Sequence, residues 1–144
     1  TEQIPKDSCI VAFNSSFEMG VFENLANHFP QYEAHLKNLH SNFVDLWDPF
    51  KNNFYVSHEM RGLHGIKTVL PALVPDHKDA YKNLDLVKNG SEAMYIYKQL
   101  GEEIRKKDSD SELISRYRSS LKEYCELDTY GMVQIVKKLR QVIQ

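Results

Sequence analysis

Two acidic residues stand out because each interrupts an apolar pattern at helical spacing. Asp128 lies four residues after Tyr124 and four before Met132, on a stripe that is otherwise apolar. Glu18 lies one turn before Phe22, directly after an apolar run typical of a strand, where α/β folds place ligands. A carboxylate that faces the core is costly unless it is paired or bound to a metal ion. Both residues are therefore candidate ligands of a divalent cation.

Each acidic residue also has a purely structural explanation. Ser15 and Glu18 have the spacing of a capping box, in which Glu18 would only satisfy backbone donors at the start of a helix. Asp128 could pair with a basic residue or lie in water at the edge of its stripe. If Glu18 and Asp128 bind the same metal ion, one site explains why each interrupts an apolar pattern. The interpretations of the two residues are therefore not independent.

The first half of the chain contains the elements that would position Glu18. A short continuous apolar run predicts a buried strand, and apolar residues at helical spacing follow it. The predicted elements are a strand over Cys9–Phe13, a helix over Phe17–Phe29, a helix over Tyr32–His40, a strand over Phe43–Trp47 and a turn-rich stretch over Lys51–Gly65.

The second half predicts three helices, the last of which carries Tyr124 and Asp128. Proline limits the first helix, because it cannot donate a backbone hydrogen bond, and Asn89 caps the second. The predicted helices are Ile66–Leu70, limited by Pro71 and Pro75, then Glu92 to about Lys106, and finally Glu112–Ile143, which we expect Gly131 to break or kink.

These patterns predict an α/β chain with few strands. The length of 144 residues suits one domain, so we expect residues 1–144 to form a single domain or part of one. Two strands do not make an independently stable sheet. Either the fold is a helical bundle with a strand pair, or a partner of the sheet is missing.

Composition narrows the functional classes. The net charge is −2, which argues against a simple nucleic-acid-binding module but is compatible with an enzyme that grips a nucleic-acid end in a small cleft. No apolar run approaches the ~20 residues of a membrane span. Cys9 and Cys125 are too few for a disulfide framework or a zinc site, and we expect both to be buried. We expect a cytoplasmic protein.

Two motifs resemble those of a known superfamily. Asn14-Ser-Ser-Phe-Glu18 resembles the second exonuclease motif of the DEDD superfamily, Asn-x-x-x-Asp, and Tyr124-Cys-Glu-Leu-Asp128 resembles the third motif in its tyrosine form, Tyr-x-x-x-Asp. Over about Cys9 to Leu139, the chain is similar to the C-terminal part of a bacterial family of predicted 3′–5′ exonucleases that is described as a domain of unknown function. The landmarks shared with that family are Asp45–Phe50, Gly65–Pro71 and Asn89–Ala93.

The resemblance implies a truncated RNase H-like exonuclease fold, mostly helical and lacking its first strands. It implies a two-metal site for Mg²⁺ or Mn²⁺, with Glu18 and Asp128 as metal ligands and catalytic residues. Tyr124 would orient the attacking water as a third catalytic residue. Asn14 would fix the strand–helix turn or contact substrate. The implied substrate is the 3′ end of single-stranded DNA or RNA.

Lys67 is a candidate substrate-binding residue on other grounds. With Arg61, it lies near a predicted helix start, where it would contact a phosphate, although such lysines are more often simply solvated. His58 and His64 lie in the turn-rich stretch with Glu59, and a histidine metal-binding module would require them to converge.

The sequence departs from the superfamily pattern in two ways. Glu18 is one methylene longer than the usual aspartate, and no Asp-x-Glu on an apolar strand precedes Cys9. We therefore expect the first strands to lie before Thr1, and this chain to be inactive as a nuclease by itself. We also expect a homodimer through the bare sheet edge. The competing functional class is a non-catalytic helical interaction or regulatory module, with an exposed apolar groove and no carboxylate cluster.

Overall fold

The computed structural model describes residues 3–143, which form two compact units. The N-terminal unit ends at Ile66 and the C-terminal unit begins at Lys67. Helices dominate, with a small two-stranded parallel sheet, as the patterns predict. No helix among the described residues is both long and apolar enough to cross a membrane. The RNase H-like topology and the single-domain assignment stay predictions.

The N-terminal unit is a strand–helix–helix–strand unit followed by short helical turns. Helices α1 and α2 connect the two strands and pack against each other. The elements are β1 (Ile10–Ala12), α1 (Ser16–His28), a 3₁₀ turn (Pro30–Tyr32), α2 (Glu33–Ser41), β2 (Phe43–Asp45), α3 (Asp48–Lys51) and a second 3₁₀ turn (His58–Met60). The predicted strands and helices are confirmed with small shifts at their ends, and the turn-rich stretch contains only short helical turns.

Strands β1 and β2 pair in parallel, with Val11 opposite Val44. Ala12 is buried on one face of the pair, whereas Val11 and Val44 are 40% and 50% exposed. Parallel sheets in proteins are usually covered on both faces. The apolar face formed by Val11 and Val44 is therefore an unusual feature of this unit.

Asp45 joins the ends of the two strands. Because parallel strands end at the same edge of a sheet, the last residue of β2 lies beside the turn that follows β1. The backbone N–H groups of Asn14, Ser15 and Trp47 donate to the Asp45 carboxylate over 2.8–2.9 Å. Asn14 adopts a left-handed conformation with φ of 62°, which asparagine tolerates better than most residues. Asp45 thus fixes the turn that starts α1.

The predicted capping box of Ser15 and Glu18 is wrong. Ser15 has helical backbone angles, φ −62° and ψ −7°, whereas a capping side chain needs an extended backbone to reach the first amide groups. The Ser15 hydroxyl makes no capping bond and donates instead to Asp45 Oδ2 over 3.1 Å. The carboxylate of Asp45 therefore accepts the Ser15 N–H that Glu18 would accept in a capping box.

Hydrogen bonding sets the charge state of Asp45. Burial raises the pKa of this carboxyl, but the bonds from the Ser15, Trp47 and Asn14 amides and from the Ser15 hydroxyl together outweigh burial. The pKa of Asp45 is therefore lowered below its ordinary value. Hydrogen bonds to the charged form of a carboxyl act in this direction.

The C-terminal unit is helical. Helices α5 and α6 pack against each other, and Asn89 caps α5 as predicted, since its side-chain oxygen accepts from the Glu92 N–H over 3.0 Å. The elements are α4 (Ile66–Leu73, which starts at the unit boundary), a 3₁₀ turn (Pro75–His77), α5 (Gly90–Ile104) and α6 (Ser111–Ile143). The residues buried in this part of the chain are Val69, Leu70, Leu73, Tyr81, Val87, Ile96, Leu100 and Ile135, together with Glu103 and Ser120.

Two predicted helix ends, at Pro71 and at Gly131, do not occur, whereas a kink at Gly131 stays a prediction. Pro71 lies inside α4, which continues to Leu73. A proline inside a helix removes the N–H that would bond to the carbonyl four residues earlier and crowds that carbonyl, which weakens this turn without ending the helix at Leu70. Gly131 lies inside the continuous helix α6 and is buried. A glycine on the packed side of a helix lacks only a side chain, so it does not by itself end the helix.

The prediction that both cysteines are buried is wrong. Cys9 and Cys125 are free thiols and both are exposed. Cys9 precedes β1, outside the sheet, and Cys125 lies at the outer margin of the α6 stripe. Apolar spacing predicts which side of a helix faces inward but does not fix how far burial extends around it.

Asp45→Asn should destabilise the protein by about 2–3 kcal/mol, because hydrogen bonds to a charged acceptor are lost. The sign of the pH dependence follows from the lowered pKa of Asp45. Its contribution is present above the ordinary aspartate pKa and is lost as pH falls through the lower folded-state value. Urea unfolding of both proteins at neutral pH and at progressively more acidic pH measures this difference.

Asp48→Asn is the matched control. Asp48 is an exposed acid three residues later, in the first turn of α3. Its substitution changes the net charge equally and should alter the free energy of unfolding by less than about 1 kcal/mol. Equal losses in the two variants would show that Asp45 does not organise the turn.

Candidate functional site

Tyr124 and Asp128 lie on the same face of α6. They are four residues apart, so they occupy adjacent turns of one side of the helix. Both side chains are partly buried rather than fully exposed. The spacing that singled them out in the sequence therefore corresponds to a shared, partly dry surface.

Tyr81 completes this surface from a different part of the chain. Its hydroxyl donates to Asp128 Oδ1 over 2.7 Å, and its ring centroid lies 6.3 Å from that of Tyr124. Tyr81 is only 8% exposed. It belongs to the segment between the 3₁₀ turn Pro75–His77 and α5, so packing and not a helix places it.

Lys67, in the first turn of α4, covers the two aromatic rings. Its Nζ lies 5.1 Å from the Tyr81 ring centroid and 5.5 Å from the Tyr124 ring centroid, within the range of cation–π contacts. The Lys67 ammonium also donates to the carbonyl of Lys88. We call Lys67, Tyr81, Tyr124 and Asp128 the tyrosine–aspartate cluster.

The environment of the cluster shifts the pKa values of three of its members. Burial, followed by the hydrogen bond to Asp128 and its charge, raises the pKa of Tyr81 well above its ordinary range. Burial and then the charge of Asp128 raise the pKa of Tyr124 in the same direction. Burial lowers the pKa of Lys67, although the charges of Asp128 and Glu92 oppose this. At neutral pH the two phenols are therefore protonated donors that face a carboxylate.

The N-terminal unit holds the other two predicted site residues. Asn14 has a left-handed backbone conformation in the turn after β1, and its expected role in fixing that turn or contacting substrate stays a prediction. Glu18 lies in the first turn of α1 and is exposed, so the expectation that it points to the buried face is wrong. Only Ala26 is buried on α1, and Glu18 lies roughly 80° from it around the helix.

Within the cluster, Asp128 is the one carboxylate that could bind a metal ion. Asp128 offers carboxylate oxygen, which Mg²⁺ and Mn²⁺ prefer, and a carboxylate that accepts one bond at Oδ1 retains further lone pairs. Within residues 3–143, no three His, Cys, Asp or Glu side chains come close enough to hold a metal ion. The same result excludes a three-ligand site at His58, Glu59 and His64. Asp128 thus fits one position of a metal site and not a complete site.

The predicted residues are divided between the two units. Lys67, Tyr124 and Asp128 come together in the C-terminal unit, whereas Asn14 and Glu18 belong to the N-terminal unit. The approach of Glu18 to Asp128 at one metal region stays a prediction.

Two residues at these sites were not identified from the sequence. Tyr81 lies in a segment without helical or strand periodicity, so no pattern indicated that it is buried. Asp45 was noted only as part of a family landmark. The predicted strand ran to Trp47 and placed Asp45 in its middle, whereas the observed strand ends at Asp45. No sequence pattern therefore indicated that Asp45 lies at the same sheet edge as Asn14.

Comparison with known proteins yields one match. The family model described as Domain of unknown function (DUF2779) matches residues 1–64, which is less than half of the 144 residues and lies within the N-terminal unit. No curated protein and no solved structure matches the chain.

Asp128→Asn should lower the pKa values of Tyr81 and Tyr124, because the negative charge that opposes tyrosinate formation is removed. In the unmodified chain, Tyr81 and Tyr124 should ionise at a clearly higher pH than the other six of the eight tyrosines. In the variant, these two should ionise closer to the ordinary value of about 10, although burial still delays them. Alkaline titration followed by tyrosinate absorbance measures the change.

Glu126→Gln is the matched control on the same helix. Glu126 is exposed and pairs with Lys122 over 3.5 Å. Its substitution removes one negative charge two residues from Asp128 and should leave the tyrosine titration unchanged. If both variants shift the titration equally, the effect reflects net charge rather than contact with Asp128.

Proposed function

We propose that this chain is part of a metal-dependent 3′–5′ exonuclease that hydrolyses phosphodiester bonds of single-stranded nucleic acid. The observation that carries the proposal is the tyrosine–aspartate cluster, in which Tyr124 and Asp128 of the Tyr-x-x-x-Asp motif share one half-buried face with a cation, Lys67. The resemblance of both motifs to the DEDD superfamily supports the same assignment.

Each residue of the cluster has a role in this proposal. When bound, two divalent cations would stabilise the negative charge that develops during phosphodiester hydrolysis. Asp128 would provide one carboxylate ligand, and Glu18 would provide another from the first turn of α1. Tyr124 would orient the attacking water through its protonated hydroxyl. Asn14 shapes the turn that presents Glu18.

Lys67 is the proposed contact to substrate phosphate. Its ammonium lies over two aromatic rings beside a carboxylate, where a phosphate oxygen would gain a charge-assisted hydrogen bond. The substrate is the 3′ end of single-stranded DNA or RNA. The two exposed free thiols, Cys9 and Cys125, favour a reducing compartment, and we propose a cytoplasmic location on this basis.

The 144-residue chain should have negligible nuclease activity by itself. Within residues 3–143, no three His, Cys, Asp or Glu side chains converge, whereas two dications need several carboxylates in one place. The natural gene product that contains this chain should release mononucleotides from the 3′ end of single-stranded substrates in Mn²⁺. End-labelled DNA and RNA oligonucleotides, incubated with each protein, measure this difference.

In the natural gene product, Asp128→Ala should reduce activity by at least ~1000-fold, because a metal ligand worth several kcal/mol is lost. Tyr124→Phe should reduce activity by roughly tenfold to a hundredfold, since a metal-activated water loses only its orientation. Glu126→Ala, on the exposed side of the same helix, should match the unmodified protein. No cleavage by the unmodified gene product in Mn²⁺ would overturn the proposed function.

A second candidate is a non-catalytic helical interaction or regulatory module. Met94, Tyr97 and Ile104 are 70%, 71% and 48% exposed and lie within one side of α5. This exposed apolar stripe favours the interaction class. The two candidates differ in the nuclease assay, because an interaction module leaves single-stranded substrates uncut whatever metal is added.

We also propose that the isolated chain forms a homodimer through its sheet. The exposed apolar face of Val11 and Val44 and the two strand edges, with which no further strand pairs in residues 3–143, support this. Val44→Lys should shift the chain to monomer, because it places a charge in the contact. Val133→Lys is the control, at a valine on α6 that is 45% exposed, close to the 50% of Val44. Light scattering that shows a strict monomer for the unmodified chain would contradict the dimer.

A further inference from the structure

The outer face of α5 carries an apolar groove with a basic margin. The groove lies along the second half of the helix and encloses about 420 Å³. Four uncharged residues and two basic residues line it: Tyr97, Lys98, Leu100, Gly101, Ile104 and Arg105. We call these six residues the α5 groove. It shares no residue with the tyrosine–aspartate cluster.

Apolar side chains form the walls of the groove. The inner side of α5 buries Ile96, Leu100 and Glu103. On the outer side, Tyr97 and Ile104 are 71% and 48% exposed. They are seven residues apart, so two turns of the helix place them on one side of α5. Large apolar side chains that are exposed at this spacing are typical of a surface that receives a partner.

Gly101 forms the floor of the groove. Glycine inside a helix is less favourable than alanine, because it adds backbone freedom to the unfolded chain. Packing does not require it here, since among residues 3–143 no side chain of another element would lie within 4 Å of a Cβ atom at this position. Such a Cβ would lie 3.3 Å from Arg105 Nη2. The glycine therefore keeps the floor open and lets the guanidinium lie across it.

Two basic side chains border the groove and are accessible. The Lys98 side chain is 74% exposed and approaches Glu102 only to 3.9 Å, a loose surface pair. Arg105 is exposed and forms no salt bridge within residues 3–143. An arginine at the end of a helix often serves only the last carbonyl groups. This guanidinium instead folds back over Gly101.

These features fit an acidic peptide better than a nucleic acid. A single strand of nucleic acid is bound by several aromatic platforms along a continuous basic track. The α5 groove has one aromatic ring and two basic side chains, and the Glu102 carboxylate lies beside Lys98. An apolar side chain flanked by carboxylates matches both the walls and the margin of the groove.

We propose that the α5 groove binds an acidic peptide segment of a partner protein. An apolar side chain of the segment lies over Gly101, between Tyr97 and Ile104. Carboxylates of the segment pair with Lys98 and Arg105. The inference does not rest on the proposed function, because the groove lies outside the tyrosine–aspartate cluster and an exonuclease can also bind a protein partner.

The test selects binders to the natural gene product that contains this chain from a displayed library of short random peptides. The enriched peptides should combine aspartate or glutamate with a large apolar residue. The Kd of the most enriched peptide, made with a fluorescent label, is then measured by anisotropy. Arg105→Glu should weaken binding by at least about tenfold, because an attractive charge becomes repulsive. Arg118→Glu, at an exposed arginine on α6, is the matched control and should bind as the unmodified protein does.

Gly101→Ala separates binding from stability. The added methyl group crowds Arg105 Nη2 and fills the floor, so the Kd should rise by about tenfold. The melting temperature should stay the same or rise, because alanine favours the helix. Gly20→Ala is the matched control in α1, where a Cβ meets nothing within 4 Å, and it should leave the Kd unchanged.

The possible outcomes decide the occupant. If no peptide is enriched, or if Arg105→Glu and Arg118→Glu weaken binding equally, the inference is overturned. It is also overturned if a labelled oligothymidine binds in place of peptides and loses affinity in Arg105→Glu, or if Arg105→Glu dissociates an oligomer seen by light scattering. If Arg105→Glu is unfolded by circular dichroism, the Kd of Gly101→Ala decides alone. The nuclease assay is separate, so each of these results leaves the proposed function standing.

Discussion

A carboxylate that is buried on folding must accept hydrogen bonds or pair with a cation, because burial of an unpaired charge is costly. This requirement fixes connections between elements in both units. Asp45 receives three backbone N–H groups and a hydroxyl, and in doing so it ties β2 to the turn before α1. Glu103 is buried on α5 and receives the Lys106 ammonium and the Asp110 N–H, which closes the turn between α5 and α6. In each case a carboxylate fixes a connection that local propensity leaves open.

Asp128 meets the same requirement with a different kind of donor. Backbone amides are fixed by the fold, so the Asp45 arrangement is rigid and lowers the pKa of that residue. The donor to Asp128 is a phenol on a side chain, and the cation nearby is held by aromatic rings and a carbonyl. Among the described residues, no backbone amide donates to Asp128, in contrast to Asp45. This difference distinguishes a structural acid from a candidate functional one.

The sequence predicted the parts of the structure that depend on local spacing. The two strands, the capped helix α5 and the common face of Tyr124 and Asp128 were correct because each rests on a repeat within one element. Tyr81 and the role of Asp45 were missed, since each depends on contacts between residues about 30 to 47 positions apart. Glu18 was misplaced because α1 buries a narrower stripe than its apolar residues suggest.

The two exposed thiols give the protein a practical property. Cys9 precedes the sheet of the N-terminal unit, and Cys125 follows Tyr124 on the helix that carries the tyrosine–aspartate cluster. Each unit therefore carries one native attachment point for a spin label or a fluorophore, without any engineered cysteine. A pair of labels on these sulfurs would report the distance between the units in solution. A single label at Cys125 would report changes around Tyr124, its neighbour in the tyrosine–aspartate cluster.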